Sequence, residues 1–297
     1  MNPFGINRRD MLLKTGAAAL GLSTFPLTSV FGGERKQRKV LFFTREGGDY
    51  EHAVVRRKGE ELSLSERTLV DIGKKIGLEV ECAKDGRVFD GNLDQYDGFA
   101  LYGYDLTRDN PSRTPAVSPA GKHQLLSAIG RGKGFIGFHS AIIADRHLRE
   151  RGEFDPLSAM IGGVSLGHGK QQEATMSIAS PRFPGVQDLG ESFTLHEEWH
   201  ALTNFADDLH VILSQETNQM KGPRYERPRF PATWARMHGK GRVFYTSMGH
   251  RGDVWSHEIF RQIVLGALTW TTGGVDADVT PNIEQVTSGA NHPRTSD

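Results

Sequence analysis

Residues 131–141 read RGKGFIGFHSA, and this stretch decides the fold class. The run from Gly134 to Phe138 is apolar, with glycines between its bulky side chains, which is typical of a strand buried on both faces in a parallel sheet. It ends in the polar residues His139 and Ser140. Because open α/β sheets bind ligands beyond the carboxyl ends of their strands, His139 is a candidate site residue. The alternative is that His139 only caps the strand by bonding a nearby backbone group.

The segments before this strand predict alternating strands and helices. Apolar runs indicate strands over residues 39–44, 78–83 and 97–104. An amphipathic pattern with a serine able to cap its start indicates a helix over residues 65–76, and a second helix is predicted over residues 118–131. This alternation predicts an α/β fold with a doubly wound, mostly parallel sheet.

The second half of the chain predicts an added β layer. Strands are predicted over residues 173–179, 192–195, 231–237 and 242–248. The last two flank the turn HGKG and therefore form a hairpin. A closing helix over residues 259–270 completes a domain that we place at residues 38–275. Residues 276–297 are polar and turn-rich, and we expect a tail with no evident core.

The first 33 residues predict an export signal. The pair Arg8 and Arg9 precedes Lys14 and a mildly apolar segment over residues 15–31, in the order of a twin-arginine signal. That segment is too short and too weakly apolar to predict a stable membrane span. We therefore expect export to the periplasm or cell envelope. A frayed basic terminus and an uncleaved anchor are the alternatives.

Composition argues against nucleic-acid binding and against an internal disulfide. Lysine plus arginine and aspartate plus glutamate each number 36, so the chain has no net charge that would favour nucleic acid. The single cysteine, Cys82, cannot form an internal disulfide, and its strand pattern predicts a buried thiol. The 12 histidines are the more informative feature, because imidazole serves both acid–base catalysis and metal binding.

Three further histidines stand in contexts like that of His139. His52 and His250 each follow a predicted strand, so the fold should bring both to the edge where His139 lies. His168 has a glycine on either side, which favours a position in a cleft over one in the core. A solvated loop position is the alternative for His52.

Residues 195–200, LHEEWH, hold the densest cluster of titratable groups. In an extended segment His196, Glu198 and His200 share one face, which suggests a metal site, and the alternative is a solvated strand face. The spacing is not that of the helical HExxH motif, so no zinc protease is implied. The paired carboxylates Glu197 and Glu198 could also split their pKa values and serve as acid and base.

Several segments of the chain match the pattern of one known family. They read FFTREGGDYEH, KGFIGFHSA, MIGG, GHGKQQ, FTLHEEW and PATWARMHGKGRVFYTSMGHRGDVW. From Lys39 to Ala277 the chain resembles the ThuA-like (trehalose utilisation) family. The resemblance implies a flavodoxin-like sheet of the class I glutamine amidotransferase type. It also implies a carbohydrate context, particularly disaccharides and 3-keto sugars.

The chain departs from these patterns at two positions. Amidotransferases carry a nucleophilic cysteine after the central strand, where this chain has His139 and Ser140, so a cysteine-dependent amidotransferase is unsupported. Ser140 also lacks the G-x-S-x-G motif of serine hydrolases. Close relatives usually carry a tyrosine where this chain has His200.

Residues and resemblance together predict an exported protein that acts on (keto-)glycosides or disaccharides as a hydrolase or lyase. The proton beside the carbonyl of a keto-glycoside is acidic, so a base could remove it while an acid or a metal stabilises the enolate. The alternative is a non-catalytic sugar-binding or accessory protein that uses the same cleft.

The residue assignments follow from that chemistry. The catalytic candidates are His139, His168, Glu197, Glu198 and His250. Of these, His139, His168 and Glu198 are expected to face a divalent metal, zinc or manganese, or to act as acid–base groups, while His250 polarises the substrate. The substrate-binding candidates are His52, Tyr102, Trp234 and Arg236. A small carbohydrate is the expected partner.

Overall fold

The strand predicted around residue 136 is present and lies between two parallel neighbours. The computed structural model describes residues 37–59 and 61–291, so the signal predicted over residues 1–33 lies outside the described residues. The strands are β1 Arg38–Phe43, β2 Leu78–Ala83, β3 Gly98–Leu101, β4 Gly134–Phe138, β5 Val164–His168, β6 Gln172–Ile178, β7 Ser192–Glu197, β8 His200–Thr203, β9 His210–Gln215, β10 Phe230–His238 and β11 Gly241–Thr246. The helices are α1 Leu64–Lys75, α2 Pro119–Gly130, α3 Arg146–Glu150, α4 Pro156–Ile161, α5 Gly252–Ser256, α6 Glu258–Thr271 and α7 Ile283–Val286.

One large sheet runs through the described part of the chain in the order β2-β1-β3-β4-β11-β10-β9-β6-β7. The first five strands are parallel, and β4 pairs with β3 on one side and β11 on the other. The strand order reverses direction along the chain at β1, which is the arrangement of a doubly wound sheet. The predicted α/β fold class is therefore confirmed.

The inner parallel strands β3 and β4 are buried on both faces, which explains why they are apolar throughout. Val40 and Phe42 of β1 pack into the core on one face, where α1, α5 and α6 contact one another. Leu41 and Phe43, the alternate residues, pack into the core on the other face. Successive side chains of a strand point to opposite faces, so a strand covered on both sides must be apolar at every position.

The antiparallel strands expected in the second half are present. The strands β10, β9, β6 and β7 extend the large sheet with antiparallel pairing, which leaves the edge of β11 covered. The β structure that lies outside this sheet is the antiparallel pair β5–β8. This pair places His168 directly opposite His200.

The helix ends follow from the sequence. Ser63 caps α1: its side chain accepts from the backbone N–H of Glu66, whose carboxylate accepts in return from Ser63. Gly162 ends α4 with φ of 96°, a left-handed conformation that glycine adopts without a steric penalty. Among the described residues, no helix is long and apolar enough to cross a membrane.

The segment predicted as a tail packs against the domain as far as it is described. Ile283 and Ala290 are buried in the core that also holds Val211 of β9. The side chain of Asn282 accepts from the backbone N–H of Val211 at 2.6 Å. The expectation of a tail without a core therefore does not hold for residues 276–291, because a few apolar residues spaced along a polar segment are enough to dock it.

Candidate active site

Three histidines meet at the carboxyl edge of the parallel strands, as their positions in the sequence predict. The ring centroid of His52 lies 5.2 Å from that of His139 and 4.9 Å from that of His250, and the last two are 5.2 Å apart. Each follows a different strand of the sheet, namely β1, β4 and β11. The convergence is a consequence of parallel strands ending at one edge.

His139 occupies the sharp turn that follows β4. Its φ of 40° lies in the left-handed region, where residues with a side chain are uncommon. The hydroxyl of Tyr245 donates to the carbonyl oxygen of His139 at 2.9 Å and helps to hold this conformation. A residue in this conformation costs free energy and persists only where the surrounding structure holds it in place. Such residues are concentrated at functional sites.

A buried carboxylate, Glu46, orients His52. One oxygen of Glu46 accepts from the backbone N–H of His52 at 2.7 Å, and the other accepts from its Nδ1 at 2.5 Å. Gly47 allows this loop to lie against the next one, since a Cβ there would come within 2.0 Å of the carbonyl oxygen of Asp105. The hydroxyl of Ser140 donates to Glu46 at 3.2 Å and ties the loop to β4.

The hydrogen bonds of His52 and His139 fix which ring nitrogen is free. Nδ1 of His139 lies 3.0 Å from the carbonyl oxygen of Ser247, which can only accept, so Nδ1 carries the proton. Nδ1 of His52 likewise donates to the carboxylate of Glu46. In their neutral forms both rings therefore present a lone pair at Nε2. Burial lowers the pKa of the His139 imidazole, although the facing carboxylate of Glu198 opposes this effect.

Glu198 lies among the imidazoles. One of its oxygens is 3.1 Å from Nδ1 of His250 and 3.7 Å from Nε2 of His139, and the other is 3.3 Å from Nδ1 of His168. Burial by itself would raise the pKa of Glu198, but the imidazoles of His139 and His250 outweigh it and hold the pKa below its ordinary value. The site therefore contains a carboxylate that stays ionised.

Glu197 is fully buried and does not line the cleft. Its two oxygens accept from the backbone N–H groups of Gly249, His250 and Arg251 at 2.9, 3.0 and 3.2 Å, and from that of Glu198 at 2.7 Å. It thereby joins the loop after β11 to the end of β7. The structure makes Glu197 a positioning residue instead of the catalytic group expected from the sequence, because its acceptor sites are taken by backbone donors.

His168 and His200 face each other across β5–β8, with ring centroids 5.5 Å apart. The exposed imidazole of His168 has its Nδ1 3.0 Å from the carbonyl oxygen of Gly169, so its lone pair is at Nε2. His200 is buried, and its Nδ1 lies 2.6 Å from the hydroxyl of Ser165. Burial lowers the pKa of His200 well below its ordinary value, and the imidazoles of His139 and His168 lower it further.

Four of these histidines and Glu198 line one cavity of about 430 Å³, whereas His139 is fully buried beside it, with its ring centroid 4.5 Å from that of His200. It is lined by Tyr50, His52, Tyr104, Ile143, His168, Gln171, Glu198, His200 and His250. Its size and its mixture of aromatic and convergent polar groups suit a small ligand. The hydroxyl of Tyr104 donates to the carbonyl oxygen of Tyr50 at 2.8 Å, which joins the two aromatic residues of the wall.

Four side chains of this site form a group that could hold a metal ion. The ligand atoms of His52, His139, Glu198 and His250 all lie within 4.8 Å of one another. The ligand atoms of a tetrahedral zinc ion, each about 2.0 Å from the metal, stand about 3.3 Å apart, so side-chain movements would be needed to close the group around an ion. Nε2 of His139 and Nδ1 of His250 are buried and make no well-aligned hydrogen bond, and both lie against the same oxygen of Glu198, at 3.7 and 3.1 Å, so the three side chains already converge on one point. His168, expected among the ligands, is not in this group, because it lies on β5 and is more exposed.

Four residues singled out in the sequence do not reach the cavity. Tyr102 is fully buried beneath His52 and His139, and its hydroxyl has no partner among the described residues. Trp234 is also fully buried, and its indole N–H donates to the carbonyl oxygen of Ile161, so it offers no face to a sugar. The guanidinium of Arg236 bonds Ala159, Met160 and Asp208. His196 lies on the exposed face of β7 opposite Glu173.

The lining residues that sequence reasoning missed are Tyr50, Tyr104, Ile143 and Gln171, together with Glu46 behind His52. Tyr50 and Glu46 lie in the glycine-containing loop before His52, so their closeness in sequence was a usable signal. Gln171 carried no such signal. Its place depends on how β5 and β6 are arranged, which no local pattern reveals.

Comparison with known proteins places the chain in a family and shows its fold. The profile of the ThuA family, described as trehalose utilisation, matches residues 39–271. A ThuA-like protein of Bacteroides uniformis has a similar structure with a TM-score of 0.59 at 18% identity, covering 79% of this chain and 91% of that one. A ThuA-like protein of Parabacteroides merdae has the same TM-score at 15% identity and covers 82% of this chain and 92% of that one.

A cytoplasmic protein of Salmonella typhimurium is similar at a TM-score of 0.53 and 12% identity, with 77% of this chain and 98% of that one covered. No curated protein sequence matches the chain. At these identities the structural likeness shows the shared fold alone.

Proposed function

The chain belongs to the ThuA family, and we propose that it is an enzyme that cleaves (keto-)glycosides or disaccharides with the help of a divalent metal. The observation that carries the proposal is convergence at one cavity. Four potential ligand atoms lie within 4.8 Å of one another, and two further histidines line the same space. A protein that only binds a sugar needs hydrogen-bonding groups and aromatic faces, but it does not need a cluster of potential metal ligands.

The donor set supports zinc or manganese. Imidazole nitrogen and carboxylate oxygen are ligands that both ions accept. His52 and His139 would each bind through Nε2, because Nδ1 is held by Glu46 and by the carbonyl oxygen of Ser247. Outer hydrogen bonds of this kind orient metal-binding histidines in other proteins. When bound, the ion would supply a Lewis acid for the carbonyl oxygen of a keto sugar.

His168 is the general base in this proposal. Its Nδ1 proton is held by Gly169 and by the nearby Glu198, which leaves the Nε2 lone pair on the cavity wall. The proton to be removed is the one on the carbon beside the substrate carbonyl, which is acidic because the resulting charge spreads onto the oxygen.

His200 is the hydrogen-bond donor to that oxygen. The hydroxyl of Ser165 accepts from the backbone N–H of Gly167 at 2.9 Å, and its own proton is directed to Nδ1 of His200. A neutral His200 therefore carries its proton on Nε2, and this atom has no partner among the described residues. A neutral imidazole that donates to a developing enolate oxygen is an established device of proton-abstracting enzymes.

The proposed step balances as an elimination. The C–H bond beside the carbonyl breaks and its proton passes to His168, while the electron pair forms a carbon–carbon double bond. The bond from the next carbon to the oxygen of the departing sugar breaks, that oxygen takes up a proton from water, and His168 then returns its proton to the solvent. Addition of water to the double bond would turn the same reaction into a net hydrolysis.

The experiment is an incubation of the protein with 3-keto-trehalose and related keto-glycosides. The protein is treated with a chelator and then tested with and without added zinc or manganese, with products separated by chromatography. We expect release of a free sugar that depends on the metal. Sugar binding without any release under all conditions would favour the non-catalytic sugar-binding alternative and overturn the enzyme proposal.

A further inference from the structure

A second cavity, of about 450 Å³, adjoins the cavity described above. The second cavity is lined by Ala53, Val54, Leu64, Gln171, His250, Arg251, Gly252 and Asp253. The two cavities share two residues, His250 and Gln171. The two cavities therefore adjoin at these two residues, and we treat them as two arms of one cleft. We call them the histidine arm and the outer arm.

The outer arm has an apolar wall and a polar wall. Ala53, Val54 and Leu64 form the apolar wall, contributed by the loop after β1 and the start of α1. Arg251 and Asp253 form the polar wall, where the guanidinium donates to the carboxylate at 3.0 and 2.8 Å. A sugar ring has apolar C–H faces and a polar rim of hydroxyl groups, so this pair of walls matches its two kinds of surface.

Gln171 is held in a defined orientation at the boundary between the arms. Arg251 donates from Nη1 to the side-chain oxygen of Gln171 at 2.7 Å. This bond fixes the amide so that its oxygen faces Arg251. The side-chain nitrogen then keeps its two protons, for which the described residues provide no acceptor. A donor at this boundary suits an oxygen atom that links two rings, or a hydroxyl group next to it.

We propose that the outer arm is the binding site for the second sugar ring, so that the substrate is a two-ring glycoside that spans both arms. The inference rests on the proposed function, because the ring in the histidine arm is the one that reacts. The linking oxygen then lies beside His250 and Gln171. The departing sugar occupies the outer arm, where its hydroxyl groups meet Arg251 and Asp253.

The test uses Ala53→Trp, which fills the outer arm from an exposed position that does not line the histidine arm. Ala120→Trp, at an exposed position of α2 that lines neither arm, is the matched control. Each variant and the wild type are assayed with 3-keto-trehalose and with the one-ring methyl 3-keto-glucoside. We expect Ala53→Trp to lower kcat/KM for the two-ring substrate about tenfold or more and to leave the one-ring substrate unchanged. An equal effect on both substrates, or no effect on either, would overturn the inference.

A binding experiment separates failure of this inference from failure of the proposed function. Titration calorimetry compares trehalose with methyl glucoside, neither of which carries the keto group needed for reaction. If no substrate is turned over, the proposed function fails, but tighter binding of trehalose that is lost in Ala53→Trp still supports the outer arm as a sugar site. Equal binding of the two ligands, or no binding of either, overturns the site.

Discussion

Glu46 and His52 are joined twice: one carboxylate oxygen accepts from the backbone N–H of His52 at 2.7 Å, and the other accepts from its Nδ1 at 2.5 Å. Both residues are buried, and they lie in the loop that follows β1. The pair fixes the ring orientation of His52 and presents its Nε2 to His139 and His250. An exposed ion pair would contribute little, but a buried carboxylate that holds a histidine in one orientation can control the affinity of a metal site.

The first prediction concerns this pair. Glu46→Gln keeps the shape of the side chain but removes the charge that holds the His52 proton, so zinc binding should weaken about 10- to 100-fold. Titration calorimetry with zinc chloride measures the change. Glu79→Gln, at an exposed position of β2, is the control and should bind as the wild type does. Unchanged zinc affinity in a folded Glu46→Gln variant would show that Glu46 does not support zinc binding by orienting His52.

The second prediction concerns the cleft groups. His139→Ala and Glu198→Gln should each lower turnover of keto-glycosides about 10²-fold or more, because each removes a group that faces the reacting centre. His196→Ala is the matched control: it lies two residues before Glu198 but is exposed, and it should retain wild-type turnover. Circular dichroism checks that the variants are folded. Wild-type rates in both cleft variants would refute the assigned roles.

The third prediction concerns Glu197. Glu197→Gln places an amide NH₂ group where the backbone N–H groups of residues 249–251 now find an acceptor, so the free energy of unfolding should fall by about 1–3 kcal/mol. Urea denaturation measures the loss. Glu191→Gln, which is exposed just before β7, should leave stability unchanged. A Glu197→Gln variant as stable as the wild type would mean that the carboxylate does not hold this loop.

The fourth prediction concerns Cys82 on β2, the outermost strand at one edge of the sheet. Burial raises the pKa of its thiol to about 12, whereas a catalytic thiolate needs a lowered value. We expect slow alkylation by iodoacetamide at pH 8 in the folded protein and rapid alkylation in guanidinium chloride, as measured by mass spectrometry. Cys82→Ser should retain activity. Fast alkylation of the folded protein, coupled to loss of turnover, would reopen a cysteine mechanism.

The fifth prediction concerns export, which rests on the sequence alone. Arg8 and Arg9 precede an apolar segment in the order of a twin-arginine signal, so replacing both by lysine should leave precursor in the cytoplasm. Cell fractionation and immunoblotting of the full chain measure its distribution. Normal export of the double variant would show that another route carries the protein.

By itself the sequence determined the sheet and the edge at which the site lies. Continuous apolar runs such as residues 134–138 identify strands covered on both faces, because the period of a strand leaves no position for a polar side chain when both sides are packed. His139 directly follows such a strand, His52 and His250 lie in the loops after two others, and parallel strands end together. Their meeting was therefore predictable without any knowledge of long-range contacts.

Only the tertiary structure decided which neighbouring residues face the cleft. A strictly extended segment would place His196, Glu198 and His200 on one side, but β7 ends at Glu197 and β8 begins at His200, so the chain changes direction between them. His196 is thus exposed, and Glu197 turns inward to bind the loop of His250. Trp234 is buried because its strand, β10, lies inside the sheet between β11 and β9. The direction of a side chain depends on what the rest of the chain packs against its strand, and that information is absent from local sequence.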